Sequence, residues 1–109
     1  MLTISSGVTL TTNKKITIEK DGTLYILGSV VGSNSSEEFK IEEKGDLIIT
    51  SVESMDWEGK ATFETKSDAD IDGVIRIGDD FTLKEKVDII GNGRIDVEGS
   101  FDNEKSSSS

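Results

Sequence analysis

Apolar residues recur at every second position along most of this chain. Ile16 and Ile18 flank a polar Thr17, Gly22 follows, and Leu24 and Ile26 come next. The spacing returns as Phe39, Ile41, Gly45, Leu47 and Ile49, and again as Val87, Ile89, Gly93, Ile95 and Val97. In each copy the Gly stands six residues after the first apolar position, and the second pair lies two and four residues beyond it. A period of two is the strand period, because successive side chains point to opposite faces. Each unit therefore reads as two short strands joined by a tight turn. The turns EKDG, EEKG and IGNG end in Gly, the residue that tolerates positive φ. Gly22, Gly45 and Gly93 are thus expected at equivalent turn positions, at least two of them with φ > 0.

Two architectures fit this pattern. Antiparallel hairpins would build a β-sandwich or small barrel. Alternatively each unit is part of one coil, and the coils stack in parallel as a β-solenoid. Unit starts at 16, 39 and 87 suit one period of about 23–24 residues with one coil skipped. The skipped coil falls near Ala61 and Phe63, where no Gly follows at the expected place and the second pair is displaced to Ile71 or beyond. The preferred expectation is an all-β, short parallel β-solenoid of about four coils.

The remaining segments agree. Leu2, Ile4, Val8 and Leu10 form two short strands, TTNKK (11–15) a turn, and GSNSSEE (32–38) a loop. Residues 51–60 are less regular and carry the only Trp, and VIRI (74–77) and FTL (81–83) are short apolar strands. No helix longer than two turns is expected; KSDAD and FTLKEKV are the stretches that could form single turns. Residues 1–103 form a single domain, and 104–109 a disordered polar tail.

Charge narrows the function classes. The net charge is −10, which argues against binding nucleic acid or an anionic membrane. The chain has no Cys and no His, so it has no disulfide and lacks the commonest general base and metal ligand. It also has no Pro, one of the residues that blunt exposed sheet edges, which suggests edges paired or covered by other subunits. The first residues show no basic start, no continuous apolar stretch and no cleavage signature, so neither a signal peptide nor a transmembrane helix is expected. The compartment is not readable from these residues.

Few stretches carry candidate chemistry. Asp68-Ala-Asp70-Ile-Asp72-Gly73 through Asp79 resembles the calcium loop of the EF-hand and dockerin families. That resemblance implies Ca²⁺ held by the side chains of Asp68, Asp70, Asp72 and Asp79 and the carbonyl of Val74. The loop departs from the pattern at Ile71, in its final Asp, and in its strand-like flanks. The competing reading, preferred in so acidic a chain, is a strand with the three early Asp residues on the wet face and Ala69 and Ile71 on the dry one. Glu37–Glu38, Glu42–Glu43 and Asp79–Asp80 are adjacent in sequence, but strand neighbours point apart, so they do not converge as an acid–base pair. No catalytic residue is nominated. Trp57 is a candidate for stacking on a sugar ring; the competing and preferred reading is that a lone Trp packs in the core or at an edge.

Alternation places Leu24, Ile26, Leu47 and Ile49 inside, so Tyr25, Leu27 and Ile48 face outward. In stacked coils Tyr25 and Ile48 would form an apolar strip that ends at Asp96 in the third copy. Such a strip is expected either to make a homo-oligomer, a trimer or open filament, or to be covered by residues 51–60. The phrases GTLYILGSV and GRIDVEGSF resemble the strand–Gly repeats of bacterial β-solenoids, including bactofilin filaments and filamentous adhesins. They are also similar to β-helical segments of tailed-phage fibres and capsid decoration proteins. The resemblance implies a non-enzymatic structural or assembly module, possible partners being capsid or fibre proteins. The alternative is a carbohydrate- or receptor-binding module of a surface adhesin or fibre.

Overall fold

A computed structural model of the chain describes residues 2–50 and 54–104. Among them are fifteen strands and no helix, and every strand pairing is parallel. The strands wind into five coils of three. The first coil holds β1 (Leu2–Ile4), β2 (Thr9–Thr12) and β3 (Ile16–Ile18). The second holds β4 (Thr23–Ile26), β5 (Ser29–Gly32) and β6 (Phe39–Ile41). The third holds β7 (Asp46–Ile49), β8 (Ser54–Trp57) and β9 (Ala61–Phe63). The fourth holds β10 (Asp68–Ile71), β11 (Val74–Ile77) and β12 (Phe81–Leu83), and the fifth β13 (Asp88–Ile90), β14 (Arg94–Val97) and β15 (Phe101–Asn103). Corresponding strands stack into three five-stranded sheets, led by β1, β2 and β3. The expected β-solenoid is the fold; sandwich and barrel are excluded because all pairs are parallel and join strands of successive coils.

The stack has five coils rather than four, because the third copy of the motif is out of phase. Ile16 and Phe39 are register partners, but the column continues through Ala61, Phe81 and Phe101, not Val87. Val87 instead occupies the corner place of Gly22 and Gly45. Two coils therefore fit between Phe39 and the last repeat, where a longer period allowed one fewer. The coils shorten because β5 and β6 are joined by residues 33–38, whereas 58–60, 78–80 and 98–100 suffice later.

The four corners entering β4, β7, β10 and β13 share one geometry. The residue with positive φ is Asp21, Lys44, Lys66 or Lys86, with φ between 61° and 65°. The expectation that Gly22, Gly45 and Gly93 supply it is overturned, since none of them has positive φ. Gly45 is small for a steric reason: a Cβ there would lie 2.8 Å from Ile41 Cγ2. Ser67 and Val87 take the equivalent place in the later coils, and both are buried. Gly93 lies at a different corner, between β13 and β14.

The interior is a set of in-register columns. Leu24, Leu47 and Ala69 stack in one sheet, Val30, Met55 and Ile75 in the next, and all are buried. Ala61 sits in register between Phe39 and Phe81, and the Phe63 ring packs against both, at centroid distances of 6.4 and 4.9 Å. Gly32 lies beneath Trp57: a Cβ on Gly32 would overlap the indole, with even Cδ2 only 2.7 Å away.

Candidate functional site

Period-two alternation leaves one row of outward side chains per strand position, and register decides which of them meet. On the β1-led sheet one row reads Thr3, Tyr25, Ile48, Asp70, Ile90. Tyr25 and Ile48 are direct partners and half-buried. Leu27, also half-buried, stands past the end of β4, where its N–H donates to Ile4 O at 2.8 Å. The apolar strip is interrupted by Asp70, not by Asp96, and resumes at Ile90. Asp96 belongs to another sheet, in the row of Asp56 and Arg76. Of residues 51–60, which could have covered the strip, 54–57 form β8 inside a different sheet; 51–53 lie outside the described residues.

Beside the strip runs an acidic row, Asp46, Asp68 and Asp88. With Asp70, Ile48 and Ile90 these line a shallow groove. The Asp46 carboxyl is pushed above its ordinary value, chiefly by burial and then by the charges of Asp68 and Asp70. The four residues of the calcium-loop resemblance do not come together. Asp68 and Asp70 lie on β10, Asp72 at the following corner, and Asp79 beyond the whole of β11. Ala69 and Ile71 point inward and are buried, as the strand reading requires. Asp72 Oδ1 accepts the backbone N–H of Asn92 at 3.0 Å, a link between coils. Among the described residues no group of three or more acidic side chains is placed to hold a metal ion.

Trp57 is not a sugar platform. It is 1% exposed, its ring packs 5.8 Å from Phe39, and its Nε1 donates to Glu37 O at 3.1 Å. The alternation Met55–Asp56–Trp57 already placed it inside, a signal masked by the irregular residues before it. Sequence reasoning also missed Arg76. It reaches Asp56 and Glu58 at 2.6 Å each and Glu98 at 2.7 Å, joining the third, fourth and fifth coils. Hydrogen bonds to Glu98, then Asp56 and Glu58, raise its pKa further. The 20-residue register carries that signal: Asp56, Arg76 and Asp96 fall in one row.

The two ends of the stack differ from its middle. Every exposed large apolar side chain among the described residues lies in the first or last coil: Leu2, Val8 and Leu10, then Ile89, Ile90 and Phe101. Leu2 is 58% and Phe101 54% exposed, while their column neighbours Leu24 and Phe81 are buried. Ile89, Ile95, Val97 and Phe101, with Phe81 and Leu83, form an apolar shelf at the C-terminal end. Leu2, Ile16, Ile18 and Leu24 line its counterpart at the N-terminal end.

Comparison with protein-family models found no match, and neither did comparison with curated proteins or with solved structures.

Proposed function

We propose that the chain is a non-enzymatic structural module whose work is assembly into a homo-oligomer, with a virion accessory role, capsid decoration or fibre, as the setting that suits it. The observation that carries this reading is the confinement of exposed apolar side chains to the two end coils. Leu2, Leu10, Ile89 and Phe101 are the terminal members of interior columns, each with a column neighbour on one side only among the described residues. Full burial of one such side chain contributes about 1.5–3 kcal/mol, and the terminal strands also leave backbone edges open to pairing. The outward Tyr25–Ile48 pair adds a lateral contact. Light scattering after size exclusion tests the reading. The wild type should run above its 11.8 kDa chain mass. Tyr25→Asp with Ile48→Lys should give a smaller species with an unchanged circular dichroism spectrum. A wild-type monomer at high concentration contradicts the proposal.

A carbohydrate- or receptor-binding module of a surface adhesin or fibre is the second reading. With Trp57 buried, its support reduces to Tyr25, the aromatic on a lateral face. Specific, saturable binding on a glycan array by a monomeric chain would favour it.

A further inference from the structure

We infer that the surface covering each end is the opposite end of a second copy, so that the solenoid continues head to tail as a polar filament. This rests on the assembly reading and names its partner and geometry. Three independent features converge on it.

The first is register. The interior columns run Leu2–Leu24–Leu47–Ala69–Ile89, Leu10–Val30–Met55–Ile75–Ile95 and Ile16–Phe39–Ala61–Phe81–Phe101. A second copy placed with its first coil on the fifth extends all three. Leu2 meets Ile89, Leu10 meets Ile95, and Ile16 meets Phe101. Strand direction is kept, so the new pairs are parallel like those within the chain. A two-fold contact between like ends would make them antiparallel and break the columns.

The second is corner length. The first coil turns from β2 to β3 through residues 13–15, as long as 98–100 in the fifth. The longer 33–38 connection lies in the second coil, away from both ends.

The third is charge. Residues 2–22 carry Lys14, Lys15 and Lys20 against Glu19 and Asp21. Residues 88–104 carry Asp88, Asp96, Glu98, Asp102 and Glu104 against Arg94. A basic end facing an acidic end is favoured, and two acidic ends repel. The match is also local. Ile16 N bonds Glu38 O as Phe81 N bonds Ser100 O, so Lys15 takes the register place of Ser100 and falls between Glu98 and Asp102 of the copy beneath. A heterologous contact of this kind does not close on itself and propagates. At about 4.8 Å per coil, each copy of five coils adds roughly 24 Å of filament.

The chain has no Cys, which permits a direct test. Thr17 and Asp102 end one outward row, Thr17–Lys40–Thr62–Thr82–Asp102. In the stack they become neighbours on paired strands, within the Cα range of a disulfide. Thr17→Cys and Asp102→Cys, mixed and treated with an oxidant or a short bifunctional thiol reagent, should give a 17–102 linked dimer that neither variant forms alone. Cross-linking of Thr17→Cys alone, or of Asp102→Cys alone, places like ends together and overturns the polar stack. A chain that sediments as an oligomer with no cross-link in any combination overturns the stacking and leaves the assembly reading intact. A monomer throughout overturns both.

Discussion

Gly32→Ala should destabilise the protein only while Trp57 is present. The added methyl enters space held by the indole, where the three nearest ring atoms all lie within 2.7 Å. An ordinary carbon contact needs at least about 3.5 Å, so the ring must move by about an ångström. That movement strains its contact with Phe39 and its hydrogen bond to Glu37 O. Overpacking costs about 1–3 kcal/mol and a lost hydrogen bond about 0.5–1.5. The reduced freedom of the unfolded chain returns about 0.4–1. The net loss is about 0.5–4 kcal/mol. In a Trp57→Ala background the clash is gone, and the same substitution should be neutral or stabilising. Trp57→Ala alone costs about 3–5 kcal/mol, so the four proteins are compared by urea melts at low temperature, followed by circular dichroism. Because Gly32 and Trp57 belong to successive coils, the cycle reads the β5–β8 register. Equal losses in the two backgrounds would show that the residues do not touch, and the coil stacking would be wrong at its longest step.

Two further substitutions probe the corners and the acidic row. Ser67 is fully buried and its hydroxyl has no hydrogen-bond partner, so Ser67→Ala should stabilise by about 1 kcal/mol; a loss of stability in the same melts would mean the hydroxyl is paired. Asp46 has a folded pKa above 3.8, so its ionised form opposes folding, and that penalty disappears as pH falls through the raised value toward 3.8. Asp46→Asn should therefore raise the melting temperature at pH 7 and lose its advantage in acid. An advantage independent of pH would remove ionisation as the cause.

The strand period was legible because the interior pairs, such as Leu24–Ile26 and Leu47–Ile49, are separated by a single residue. Alternation alone is shared by sandwiches and solenoids, so the choice between them rested on repeat spacing. The coil count failed because Ile89 and Val87 imitate the first pair of the motif while sitting one corner further on, and because Ser67 stands where a Gly was sought. Positive φ at Lys44, Lys66 and Lys86 left no mark, since Lys has no special preference for that region. The Tyr25–Ile48 pair was legible from alternation. The apolar ends were not, because Leu2 and Phe101 look like ordinary core residues until the coils are counted and their outer sides are found bare.

If other copies cover the end coils, the backbone amides there are protected only in the assembled state. Amide hydrogen exchange on concentrated and dilute solutions reads this coil by coil. At high concentration β1–β3 and β13–β15 should be protected to the level of the middle coils, and dilution should release these six strands while β4–β12 stay slow. Rapid exchange in the end coils at every concentration would contradict that coverage.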